Sequence, residues 1–226
     1  MAKIIKTCFD RRPPPKSLPE RLALVKDARW GVDDLTSVRF LDGDPSLQQK
    51  VERFAMEWTQ HAAVNLVFGN AANAAIRVSF TPGGSWSNIG TDCRRVPDPQ
   101  PTMNYGWLTP ESPDEEIARV VLHEFGHALG CIHEHQNPAG GIRWNKEVVY
   151  ASYAGSPNFW TREQVDHNIF ATYDEDVTSH TAVDPQSIMM YPIPPEFTED
   201  RFSVGLNTTL SATDKAFIRQ LYPPQG

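Results

Sequence analysis

Four of the chain's seven histidines lie between residues 123 and 135, in the run His123-Glu124-Phe125-Gly126-His127-Ala128-Leu129-Gly130-Cys131-Ile132-His133-Glu134-His135. No other stretch restricts the fold so tightly. His123 and His127 stand four apart, so on an α-helix their imidazoles project from one face, one turn apart. Two nitrogens can then meet one ion at about 2.1 Å. Gly130 falls where a left-handed residue can end the helix and swing the chain, which brings His133 to the same ion from another direction. Three neutral imidazoles suit zinc and leave a fourth position for water, the arrangement of a catalytic rather than a closed structural site. Glu124, one residue after the first ligand, reads as the general base for that water. The competing reading is a set of core histidines, but three desolvated imidazoles without a metal are hard to satisfy. His135 competes with His133 for the third place. The Gly130 spacing favours His133 and leaves His135 as a rim or supporting group, while His167 and His180 read as surface residues.

Composition sets the outer limits. The 226 residues include 40% hydrophobic and 22% charged side chains, with 11 Phe, 6 Trp and 6 Tyr, the make-up of one packed domain. A formal net charge of −7 with no long basic run argues against a grip on nucleic acid or anionic lipid. The most apolar segment, Val120 to Cys131, is broken by His, Glu and Gly, so no membrane span is expected. The start, MAKIIKTCFDRRPPP, lacks the apolar core and cleavage site of a leader, and the compartment stays open. Cys8, Cys93 and Cys131 exclude a disulfide scaffold; Cys93 and Cys131 are expected to be reduced.

Along the chain, residues 1–30 are rich in Pro and charge and show no period until Trp30, which predicts an extended N-terminal arm or pro-segment. Residues 31–226 read as a single α+β domain. Strands are predicted at Ser37 to Leu41, Asn65 to Phe68, Ala75 to Phe80 and Thr102 to Leu108, with Thr81 to Pro101 as loop. A helix capped by Ser46 is predicted to run to about Ala62. A second opens on a Ser112/Glu115 capping box and runs to Gly130. Short helices follow at Asn145 to Tyr153, Thr161 to Phe170 with a Thr161/Gln164 box, and Ser211 to Leu221 with a Ser211/Asp214 box. No regular oxygen-ligand spacing appears near Asp92 and Asp98, so no calcium is expected.

The run His123 to His133 resembles the zinc motif of the metzincin metallopeptidases, and Ser187-Ile188-Met189-Met190-Tyr191 resembles their Met-turn. Glu134 after the third His and the tyrosine at 191 are similar to the astacins. The paired-cysteine pattern of that family is missing, and Met190 stands where astacins have His, which suggests an outlying branch. The resemblance implies a twisted mixed β-sheet with two long helices in the N-terminal half, an irregular C-terminal half with short helices, and a zinc cleft between them. It implies that His123, His127 and His133 bind Zn2+, Glu124 is base and proton shuttle, Met189 floors the metal, and Tyr191 supports the oxyanion. A phenol there makes independent sense as a donor to charge developing in the transition state. A buried N-terminus as partner of Glu134 is not expected for a chain with an intact arm. Cys8 is expected to be an exposed thiol; the other reading is a thiolate plug on zinc like that of matrixins. By the same resemblance Ile76 to Phe80 is the edge strand on which an extended substrate adds, with side-chain preference set under Tyr191 to Phe197.

The function implied is a zinc endopeptidase acting on extended protein or peptide substrates, as a monomer. The alternative is a zinc-binding peptide-recognition protein held inactive by its N-terminal arm. Hydrolysis of a small amide or ester is a third reading.

Overall fold

The computed structural model describes residues 6, 8–11, 28–31, 34–156, 158–172 and 183–224. His180 and most of the arm lie outside these residues. A six-stranded sheet is formed by β1 (Phe9–Arg11), β2 (Leu35–Phe40), β3 (Asn65–Phe68), β4 (Ile76–Ser79), β5 (Trp86–Asn88) and β6 (Met103–Asn104). Its order is β1-β5-β6-β4-β2-β3. The β5–β6 pair is antiparallel and the others are parallel.

Two helices cover one layer of this sheet: α1 (Pro45–Ala55) and α2 (Asp114–Ala128), packed against each other. α1 buries Leu47, Val51 and Ala55, the i, i+4, i+8 stripe that the period predicts. α2 is buried along almost its whole length, which places the histidine run inside the core. Trp58, Ile76, Val78, Tyr105, Phe125 and Leu129 belong to that core. The C-terminal half carries α3 (Lys146–Ala154), α4 (Arg162–Val165) and α5 (Ala212–Leu221). Part of it gathers a second core of Val149, Tyr153, Tyr191, Ile193 and Phe197. Among the described residues no helix is long and apolar enough to cross a membrane.

Several boundaries differ from the sequence reading. Asp44, not Ser46, caps α1 by accepting the Ser46 N–H at 2.8 Å, and Pro45 opens the helix. α1 stops at Ala55 and a 3₁₀ turn over Trp58–Gln60 follows. The Ser112/Glu115 box does not form, because the Ser112 hydroxyl accepts the Thr109 N–H and closes the preceding turn instead. Three acidic residues in the first turn, Asp114 to Glu116, favour the positive helix end. The Thr161/Gln164 and Ser211/Asp214 boxes are both present, and a π-helical turn, Asp166–Phe170, extends α4. The expected loop from Thr81 to Pro101 contains β5 and a 3₁₀ segment, Gly90–Arg95. β4 is also not an edge: it lies between β6 and β2. The edge on the β5 side is occupied by the arm's own β1, which pairs with β5 in parallel.

Candidate metal centre and active site

α2 presents His123 and His127 from one face, and its end is built by glycine geometry. Gly130 has φ 97°. Its N–H donates to the His127 carbonyl at 2.8 Å while the Cys131 N–H reaches the Gly126 carbonyl at 2.9 Å. This bond pair closes the helix and turns the chain back. His133 thereby returns to the helix face. One ligand nitrogen from each of the three buried histidines lies within 4.8 Å of the others.

Two of the ring nitrogens facing away from this focus, those of His123 and His127, are tied to backbone. His123 Nδ1 lies 2.8 Å from the Ile188 carbonyl and His127 Nδ1 lies 2.9 Å from the Cys131 carbonyl. A carbonyl only accepts, so each Nδ1 carries the proton and each Nε2 offers a lone pair inward. His127 Nε2 and His133 Nε2 stand 3.0 Å apart, and His123 Nε2 is buried without a hydrogen-bond partner. Burial, with the neighbouring His127, holds His123 and His133 well below the ordinary imidazole value. Neutral, converging, desolvated imidazoles are the donor set zinc requires.

The Met-turn lies under the metal focus. A Cβ on Gly126 would meet Met189 Sδ, so a larger residue between His123 and His127 would have to push the methionine aside. The turn is held by Asp214 of α5. Its carboxylate accepts from Ser187 Oγ at 2.7 Å, the Ile188 N–H at 2.8 Å and the Ser211 N–H at 2.8 Å. Ile188 then holds His123, and the Met189 carbonyl accepts from the Glu134 N–H at 3.0 Å. The same Glu134 has its Oε1 on the Asp184 N–H and Asn137 Nδ2. Burial raises its carboxyl to about 7.

Glu124 is fully buried beside His123. The Tyr191 ring is 6.0 Å from the His123 ring and 4.4 Å from that of His133. His135 is not a rim group: it is buried, its ring 4.4 Å from Tyr191 and its Nε2 on the Asn168 carbonyl. The other correction concerns Cys8. The residue whose thiol is expected to be exposed is itself only 3% exposed, and that thiol lies close enough to Glu124 to feel its charge. Burial, and then the charge of Glu124, push that thiol well above its ordinary value. Tyr191 Oη donates to the Cys8 carbonyl. Cys93 and Cys131 are buried free thiols.

The family model that matches is that of the Astacin peptidase family, over residues 28–223. The chain belongs to the astacin family. Two solved structures of myroilysin resemble this astacin. One has 45% identity and a TM-score of 0.87 over 89% of this chain and 98% of the other. The second has 41% identity and a TM-score of 0.72 over 97% and 92%. High choriolytic enzyme 1, a hatching enzyme zinc-protease from Oryzias latipes, shares the fold at 17% identity and a TM-score of 0.59, over 88% and 96%. No curated protein matches the chain. As an astacin it is a zinc metalloprotease of metzincin fold, and His123, His127 and His133 form a group that could hold the zinc.

Two neighbours of this astacin's site are not legible in the sequence. Asp214 is visible there only as a capping residue, since the partner it holds is 26 positions away. Cys8 lies in an aperiodic arm, where no pattern signals burial.

Proposed function

We propose that this astacin is an endopeptidase that cuts extended segments of protein substrates. The observation that carries the reading is the arm's own seat. Phe9–Arg11 pairs with β5, and the Cys8 carbonyl takes the Tyr191 hydroxyl's hydrogen bond beside Glu124. The cleft therefore accommodates an extended backbone with a peptide carbonyl next to both residues assigned to catalysis.

Zinc, when bound, supplies Lewis acidity and a water acidic enough to lose a proton near neutral pH. Glu124 takes that proton on its carboxylate and returns it to the leaving amine. Tyr191 Oη donates to the oxygen on which charge builds. β5 offers the backbone edge for an extended substrate, a mode of pairing that reads main chain more than sequence. Residues 1–30 then act as a removable pro-segment, because the arm and a substrate need the same edge.

The test is a mass-spectrometric cleavage profile on an extended-peptide library, with and without a zinc chelator. Internal cuts abolished by the chelator are expected, and Glu124→Gln should keep zinc while losing at least about 10²-fold in rate. Cleavage confined to terminal residues, or wild-type rates in Glu124→Gln, would contradict the reading.

A further inference from the structure

The Tyr191 ring is walled by three imidazoles. Those of His123 and His133, at 6.0 and 4.4 Å, belong to the metal group, and the third, His135, lies 4.4 Å away at an interplanar angle of 33°. His135 is 2% exposed and follows the last ligand by two positions, on the 3₁₀ turn Glu134–Gln136. It thus sits inside the site without being one of the three converging ligands.

A distant element fixes this imidazole. His135 Nε2 lies 2.9 Å from the Asn168 carbonyl, and since a carbonyl only accepts, Nε2 carries the proton. Gln136 Nε2 donates to the adjoining His167 carbonyl at 2.9 Å. Both carbonyls belong to the π-helical turn Asp166–Phe170, where the Ala171 N–H returns five residues to the Asp166 carbonyl at 2.8 Å. The next two carbonyls of the turn accept from outside it, and single π turns of this kind are frequent at functional sites. Trp144 stands at right angles to His135, 6.3 Å away, and packs at 5.7 Å on Phe170 of the same turn. The imidazole is held by its N–H and by Trp144, with the Tyr191 phenol tilted over it.

We propose that His135 is a positioning residue for Tyr191: anchored on the π turn, it sets the ring from which the phenol donates to the oxyanion. The proposal rests on the peptidase reading above, in which Tyr191 makes that bond. A donor displaced by about 1 Å forfeits much of its effect, so the ring that carries it needs a support that does not move. His123 and His133 are oriented toward the metal focus, which leaves His135 as the imidazole whose contacts serve the phenol. A histidine meets both demands of this place, a flat ring beside the phenol and an N–H at its edge for the Asn168 carbonyl. Phenylalanine supplies the first alone and glutamine the second alone.

Steady-state kinetics of His135→Ala, His135→Phe and His135→Gln test this, on the zinc-loaded full chain before and after limited tryptic clipping of the arm. Metal content is measured beside them, as is the affinity for a phosphinic peptide, whose tetrahedral anion imitates the oxyanion. His135→Ala should lower kcat by about 10- to 100-fold, with KM within about twofold and zinc still bound. Phosphinic-peptide affinity should fall in step, while a substrate peptide should bind Glu124→Gln equally well with and without His135→Ala. The Phe and Gln variants should each recover part of the loss. In Tyr191→Phe, His135→Ala should change kcat by less than about twofold, because the group it positions is gone. A kcat unchanged in His135→Ala, a loss undiminished in Tyr191→Phe, or a loss that follows zinc content overturns the proposal. If His135→Ala fails to fold, the Phe and Gln variants are set against Tyr191→Phe in the same way. If no peptide is cut yet phosphinic-peptide binding still couples His135 to Tyr191, the endopeptidase reading fails and this assignment stands.

Discussion

On the proposed mechanism, Tyr191 and Glu124 divide the chemistry by what each can do with a proton. A carboxylate accepts one and later releases it; a phenol donates a hydrogen bond and keeps its proton. Tyr191→Phe should therefore lower kcat by about 10² to 10³ with zinc still bound, since three imidazoles hold the metal without it. A metal assay beside steady-state kinetics decides this, and an unchanged kcat would remove Tyr191 from the mechanism. The histidines carry a pH prediction. Burial holds His123 and His133 below the ordinary value of 6.5, so they stay neutral, and able to bind zinc, to lower pH than a free imidazole. Acid must be carried below 6.5 before half the zinc leaves, as read with a chromogenic chelator. Half-release at or above that pH would mean the imidazoles are not held neutral. The ligand residues and Glu124 are legible in the sequence because their spacing is local: one helix and one glycine turn fix it. Cys8 is not, because its meeting with the site depends on the arm pairing with a strand far away in the sequence.

At the level of elements, α5 and the Met-turn act as one unit through Asp214. Asp214 serves its own helix as capping residue and serves the zinc site through Ser187 and Ile188. Asp214→Ala leaves several buried donors unpaired, which should cost about 2–4 kcal/mol in chemical denaturation. It should also weaken zinc about 10- to 100-fold by freeing the carbonyl that orients His123. Stability and zinc affinity that both match the wild type would show that the helix holds nothing but itself. The two boxes that form, at Thr161 and Ser211, each precede a helix with no proline between cap and first turn. The Ser112 box fails where Pro113 intervenes and a tighter turn claims the hydroxyl. β5 escapes a sequence reading for a different reason. Three residues among Gly, Ser and Pro carry no usable period, and only pairing with β6 and β1 makes them a strand.

Across the whole molecule the arm and the incoming substrate, on the endopeptidase reading, compete for one groove. A tethered strand has an effective concentration in the millimolar range, far above that of a dilute substrate. Clipping the arm should raise casein digestion about tenfold or more, measured on the same preparation before and after limited trypsin treatment. Equal rates would mean that substrate and arm use different surfaces.

The end of α2 is fastened from both sides of the sequence. Trp30 Nε1 donates to the Ala128 carbonyl and Tyr222 Oη to the Leu129 carbonyl, 98 and 93 positions away. During synthesis all three histidines emerge long before Asp214 and Tyr222 exist. A nascent chain can hold the zinc-binding sequence, yet it lacks the groups that set its geometry until the final helix has been made. The zinc-binding group thus gains its full set of supports only after the chain has been extended through α5.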